Sequence, residues 1–201
     1  MNSDLPQLGN DGLIVEGIVT TRNEDGSVNI SPMGPIVNAS FDCFRFRPFQ
    51  SSTTYKNLKR TGRGVFHITD DVMLFAQAAV GQPNPLPALE NLILRDACRW
   101  YEFDVRSLDD AELRTHVVAE TSNRGQLRDF VGFNRAKHAV LEAAILATRV
   151  HLLEVDDIQA ELDRLVPRVE KTASAAEQQA FSFLQQYIHR TVATLSASRS
   201  P

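Results

Sequence analysis

Between Arg47 and Asn57 the chain reads Arg-Pro-Phe-Gln-Ser-Ser-Thr-Thr-Tyr-Lys-Asn. Ser51 to Thr54 are all residues of the kind that cap helices, and Tyr55 to Arg60 continue as a short helix that Gly62 ends. A helix N-terminus presents unpaired backbone N–H groups and the positive end of its dipole. Hydroxyls donate to phosphate oxygens, and arginine grips them with paired donors. With Arg47 ahead of the helix and Lys56 one turn into it, Ser52, Thr53 and Thr54 have the chemistry of a phosphate cradle. The surrounding charge agrees. From Cys43 to Thr69 there is no Asp or Glu, and six of the chain's 21 basic residues (Arg45, Arg47, Lys56, Lys59, Arg60 and Arg63) fall there. The plainer alternative is a heavily capped surface helix with solvated lysines.

Two further segments carry weaker signals. Asn29 to Pro35 (NISPMGP) reads as a strand halted by Pro32 and Gly34, which leaves backbone groups beside a site instead of pairing them. At Asn134-Arg135-Ala136-Lys137-His138, Asn134 caps a long helix and two cations fall in its first turn, against the dipole. A nearby anion or carboxylate offsets that cost; ordinary surface charge is the alternative. Other chemistries find no support. Gly62-Arg63-Gly64 follows a helix and precedes a strand, the reverse of a dinucleotide loop. No serine sits in G-x-S-x-G. His138 and Glu142 lack a second histidine, and no metal site is expected. His67 lies inside a strand pattern and reads as a packed, hydrogen-bonded residue. Cys43 and Cys98 form no Cys-x-x-Cys pair and are expected to be reduced.

These residues need a framework. Leu13 to Arg22 reads as a strand, Asn23 to Gly26 as a turn and Ser27 to Ser31 as the second strand of a hairpin. Cys43 to Phe46 and Gly64 to Thr69 make two more. Tyr101 to Val105 and Leu113 to Ala119 alternate as a last pair, joined by Ser107 to Ala111, and strand content ends near Thr121. The remainder is helical: Asn134 to Leu152 is apolar on most faces and must be buried against several neighbours. Asp156 with Gln159, and Ser174 with Glu177, read as capping boxes, and Pro167 ends or kinks the helix between them. The expected fold is α+β: a mainly β core, a six-stranded split β-barrel with a helical C-terminal extension. At 201 residues, 43% hydrophobic and 23% charged, the composition is that of a globular chain. The net charge of −4 speaks against a nucleic-acid partner. No apolar run is long enough to span a membrane, and Met1 to Asp4 has no leader-like character, so a cytoplasmic location is expected.

The hairpin Gly17 to Pro35 (GIVTTRNEDGSVNISPMGP) together with Gly132 to Arg149 (GFNRAKHAVLEAAILATR) resembles the family labelled domain of unknown function 447. More broadly, the strand–EDG–strand–SPMGP, SSTTYKNL and TGRGVF segments resemble the FMN-binding split β-barrels of flavin reductases and pyridoxamine-phosphate-oxidase-like proteins. The resemblance implies an FMN-binding domain over residues 12–153, including the long helix, and a helical extension over 154–197. It implies a homodimer with FMN at the subunit interface. It places Thr54 and Asn57 (T-x-x-N), flanked by Ser52 and Thr53, on the FMN phosphate with Arg45 or Arg47. Ser31, Pro32, Met33 and Gly34 then lie by the isoalloxazine. With Lys56, and with Asn134 and Arg135 at the long helix, these complete the expected cofactor-binding set. The implied function is a flavin-dependent oxidoreductase of unknown substrate, served by a nicotinamide or other small-molecule donor. The alternatives are a non-catalytic flavin carrier or a dimeric interaction protein. One departure stands out: flavin reductases carry Asn at the end of the fourth strand, where this chain reads Phe66-His67-Ile68-Thr69.

Overall fold

The structure is a computed structural model that describes residues 5–81, 83–84 and 86–199. It divides into two compact units. The first takes the chain up to Thr69 and Leu86–Phe130, and the second takes Asp70–Pro85 and the chain from Val131 onward.

In chain order, the first unit contains β1 (Gly12–Ile14), β2 (Gly17–Arg22), β3 (Val28–Met33), β4 (Ile36–Asn38), β5 (Cys43–Phe46), α1 (Thr53–Thr61) and β6 (Arg63–Ile68). A short hairpin, β7 (Leu89–Glu90) and β8 (Ile93–Leu94), and the long pair β9 (Arg99–Asp109) and β10 (His116–Gln126) complete it. Eight of the strands form one curled antiparallel sheet in the order β1-β4-β5-β10-β9-β6-β2-β3. The architecture is the expected one, but the sheet has eight strands and not six.

Three local features account for the difference. The apolar run from Leu13 to Arg22 breaks at Val15-Glu16, and β1 leaves to pair with β4. Pro32 does not stop the second strand: β3 is an edge strand, so the missing N–H removes no ladder bond. The chain re-enters the sheet as β4 directly after Pro35. The last pair also differs. β9 runs on to Asp109, β10 starts at His116 and continues to Gln126, and Leu113 to Thr115 instead bond the segment after β5.

The sheet curls around a core of Val19, Val37, Phe44, Phe46, Leu58, Phe66, Tyr101, Phe103, Val117 and Ala119. Five of these are aromatic, and Phe46 and Phe103 lie with ring centroids 4.8 Å apart. Leu58 is the contribution of α1, whose buried face also carries Thr54, Tyr55 and Asn57. This fixes the helix against β2. Gly62 closes α1 at φ +67° and donates its N–H to Leu58 O at 2.9 Å; a left-handed position favours glycine.

The second unit is helical: α2 (Val72–Ala79), α3 (Arg135–Ala147), α4 (Val155–Thr172) and α5 (Ala175–Arg199), with a 3-10 turn at Val150–Leu152. The buried residues of α3 are Ala136, Ala139, Val140, Ala143, Ala144, Leu146 and Ala147, mostly small side chains that let neighbours approach closely. Its main packing partners are α2, α4 and α5, as its all-round apolar pattern requires. Asp156 and Gln159 do not form a capping box: the cap position is Glu154, with no side-chain bond, and Gln159 Nε2 donates to Asp163 Oδ1. α4 runs through Pro167, whose exposed position leaves the carbonyl one turn back to solvent. Ser174 and Glu177 do pair: the Ser174 N–H and hydroxyl both donate to Glu177 Oε2, the former at 2.8 Å.

Candidate functional site

Ser52 is the N-cap of α1, and its Oγ accepts the Tyr55 N–H at 3.2 Å. The first-turn N–H groups of Thr53 and Thr54 are left without an intrahelical acceptor, as at any helix start. Thr53 and Lys56 are exposed, while Thr54 and Asn57 are buried. The buried pair belongs to a polar network that docks α1 on the first hairpin. Asn29 Nδ2 donates to Thr21 Oγ1 (3.2 Å) and Thr54 Oγ1 (3.1 Å), and Asn57 Nδ2 donates to Thr21 Oγ1 (3.0 Å) and Asn23 Oδ1 (2.7 Å). Both amide hydrogens of Asn57 are thereby used. Thr54 accepts with its oxygen and keeps its own O–H to donate.

Immediately before this helix stands a buried polar group left unsatisfied. Arg47 Nε is buried and has no hydrogen-bond partner. Burial first, and then the guanidiniums of Arg114 and Arg45, hold Arg47 below its ordinary range. An ion pair relieves such a cluster only if the charge is negative, and no carboxylate pairs with any of the three arginines among the described residues. Arg45 Nη1 donates to Pro6 O (3.0 Å). Arg114 Nε donates to Arg47 O (3.3 Å), and its guanidinium lies over the Phe49 ring. A buried, unpaired donor amid three cations is a fitting environment for a phosphate. Sequence reasoning missed Arg114. It lies 67 residues beyond Arg47 and arrives through the Phe49–Arg114 bridge, a pairing without local signal.

Ser31, Pro32, Met33 and Gly34 lie at the end of β3 and just beyond, all half-buried; Met33 packs against the core. A Cβ on Gly34 would stand 2.7 Å from a Glu16 carboxylate oxygen, so that corner admits no larger residue without moving Glu16. Asn134 and Arg135 belong to the second unit. Asn134 Oδ1 accepts the N–H groups of Ala136 and Lys137, and its Nδ2 donates to Thr172 O. Arg135 is exposed. The unfavourable first-turn cation Lys137 is answered within the unit, by Glu177 Oε1 at 2.9 Å and Asp70 O at 2.7 Å. His67 is fully buried; its Nδ1 faces Ile18 O (3.1 Å) and its Nε2 accepts the Leu94 N–H (3.1 Å). It ties β6 to β2 and to the β7–β8 hairpin. No disulfide joins Cys43 and Cys98, and burial pushes the Cys43 thiol up, away from nucleophilic use. Among the described residues no group of three or more His, Cys, Asp or Glu could hold a metal, and no helix is long and apolar enough to cross a membrane.

The fold and the site together define an α+β protein of split-barrel type, with a cationic corner where β5 leads into the N-terminus of α1. Family models place the chain more closely. Residues 15–128 match the N-terminal domain, and residues 134–186 a further domain, of the protein of unknown function family DUF447. The chain belongs to that family. Among solved structures, it is similar to an FMN-bound DUF447 protein from Methanosarcina mazei. The two are 21% identical, with a TM-score of 0.75 over 87% of this chain and 94% of that one. Partial likenesses extend to a flavin reductase domain protein from Arthrobacter (17% identical, TM-score 0.49, 58% of this chain and 79% of that one). They also extend to the styrene monooxygenase flavin reductase of Pseudomonas putida (17% identical, TM-score 0.47, 56% and 80%). No curated protein matches the sequence.

Proposed function

We propose that the chain is a flavoprotein that binds FMN through its phosphate at the cationic corner. The carrying observation is the buried, unpartnered Nε of Arg47 beside two further guanidiniums. Arg47 pairs with the phosphate; the first-turn N–H groups of Thr53 and Thr54, with the hydroxyls of Ser52, Thr53 and Thr54, supply neutral donors. Arg45 and Lys56 add long-range charge. Asn57 holds the helix in place, since its donors are engaged with Thr21 and Asn23. The half-buried turn Ser31–Gly34 flanks the ring. The FMN-bound relative of the same family supports the choice of cofactor.

When bound, FMN supplies hydride and electron transfer, and the protein supplies position and exclusion of water. The reading extends to an oxidoreductase with a small-molecule donor, built as a homodimer. Phe49 (56% exposed) and Leu113 (79% exposed) stand bare beside the arginines, apolar surface suited to a second copy that completes the site. The test is the visible flavin spectrum of purified protein, with Arg47→Ala alongside. Wild type takes up FMN, and the variant loses about tenfold to a hundredfold in affinity with its circular dichroism unchanged. Wild-type protein that stays colourless with added FMN refutes the reading. Bound flavin that neither NADH nor NADPH bleaches assigns the carrier role instead of the oxidoreductase.

A further inference from the structure

Three guanidiniums without a carboxylate repel one another, so something must hold them together before any anion arrives. Arg45 is tied to Pro6 O through Nη1, and Arg47 is half-buried with its Nε out of water. Arg114 is exposed and lies on the connection between β9 and β10, where a free arginine would swing away. Its surroundings oppose this. Tyr55, buried on α1, donates its hydroxyl to Asp110 Oδ2 at 2.6 Å. Lys59 Nζ reaches the same oxygen at 2.7 Å and the tyrosine oxygen at 3.2 Å. Gln50 Nε2 donates to the carbonyls of Asp110 (2.7 Å) and Glu112 (2.8 Å), and the Gln50 N–H donates to Leu113 O (3.0 Å). On the far side of Arg114, the Thr115 N–H and hydroxyl both donate to Pro48 O, at 2.9 and 2.8 Å. The connection is thus fastened on both flanks of Arg114, and the chain between the flanks carries one cation over the Phe49 ring and against Arg47.

We propose that Arg114 is a second phosphate-binding arginine, and that the Tyr55–Asp110–Lys59 latch is the positioning device that presents it. Asp110 is the only carboxylate in the latch, and its charge is spent on Lys59 and Tyr55, whose bonds hold it below the usual carboxylate range. It therefore anchors the connection without neutralising the arginines. The arrangement favours a phosphate monoester dianion, which can meet two guanidiniums at once, over an uncharged ligand end. This assignment rests on the flavin reading for the identity of the ligand, and on the arginine geometry for the anion site.

The experiment measures FMN and riboflavin affinity by flavin fluorescence quenching on the full chain, with the shift in melting temperature by inorganic phosphate recorded in parallel. Arg114→Ala is expected to weaken FMN about tenfold to a hundredfold, leave riboflavin within about twofold, and reduce the phosphate shift. Tyr55→Phe and Asp110→Asn keep the arginine but release it; they weaken FMN about threefold to tenfold with riboflavin again unmoved. Equal weakening of both flavins marks a general packing defect and overturns the assignment. So does an Arg114→Ala protein that binds FMN and phosphate as wild type does. If wild type binds neither flavin yet phosphate stabilises it through Arg114, the flavin reading falls and the anion site stands.

Discussion

His67 gives the first unit a built-in sensitivity to acid. The ring is fully buried between Ile18 O and the Leu94 N–H. With Nε2 accepting, the proton sits on Nδ1 and the ring is neutral. Burial pushes its pKa down to about 4 from 6.5, the Ile18 carbonyl only partly opposing this. In the unfolded chain the ring titrates near 6.5, so below that pH the unfolded state binds the extra proton. Stability attached to His67 is complete above pH 6.5, falls as pH drops, and is exhausted once the folded ring protonates near 4. The slope is at most about 1.4 kcal/mol per pH unit, and the whole loss is about 3 kcal/mol. The perturbation is His67→Gln, which keeps a donor and an acceptor but does not titrate. The assay is urea unfolding followed by the fluorescence of Trp100, the chain's only tryptophan, which lies opposite His67 in the β6–β9 register. Wild type should lose stability relative to the glutamine variant steadily from pH 6.5 to 4. A difference that stays flat across that range refutes the reasoning.

Two further expectations concern the helical unit and the docking of α1. Burial pushes the Glu177 carboxyl up, but bonds from Ser174 and Lys137 prevail and hold it at about 2. Its contribution is present above pH 4.5 and lost as pH falls toward 2, and Glu177→Gln should destabilise by roughly 2–4 kcal/mol at neutral pH because Lys137 is left half-buried without its anion. Urea unfolding of the two proteins at pH 7 and pH 3 checks both statements. Asn57→Ala leaves Asn23 Oδ1 without its donor and Thr21 Oγ1 with Asn29 alone, and should cost about 1–3 kcal/mol, read in the same urea titration.

Local chemistry carried far in the sequence. The hydroxyl run, Gly62 and the acid-free stretch located α1 and its N-terminus correctly, because caps and left-handed glycines act within a few residues. The apolar residues on most faces of α3 correctly demanded several neighbours. The sheet was less legible. Pro32 read as a stop because the pattern alone does not say that β3 is an edge, where a proline is harmless. Asn57 was legible as part of the helix start but not in its partners, Thr21 on β2 and Asn23 in the turn after it, which lie more than thirty residues earlier. Arg114 was invisible for the same reason: only the folded pairing of Phe49 with Arg114 brings it to Arg47. Lys137 shows the converse. Its adverse position was legible, and the compensating charge proved to be Glu177, forty residues on.

β1 lies at one end of the eight-stranded order, and β2 lies next to the other end. Yet only Val15 and Glu16 separate them in the chain. Two linking residues reach about 11 Å at full stretch, so the two margins of the sheet are held within that distance by a covalent seam. The barrel's mouth cannot widen beyond what this short strap allows, whatever the hydrogen bonds across it do. The seam therefore closes an otherwise open sheet covalently at one point, tying the margin that carries β1 to the strand that lies beside β3.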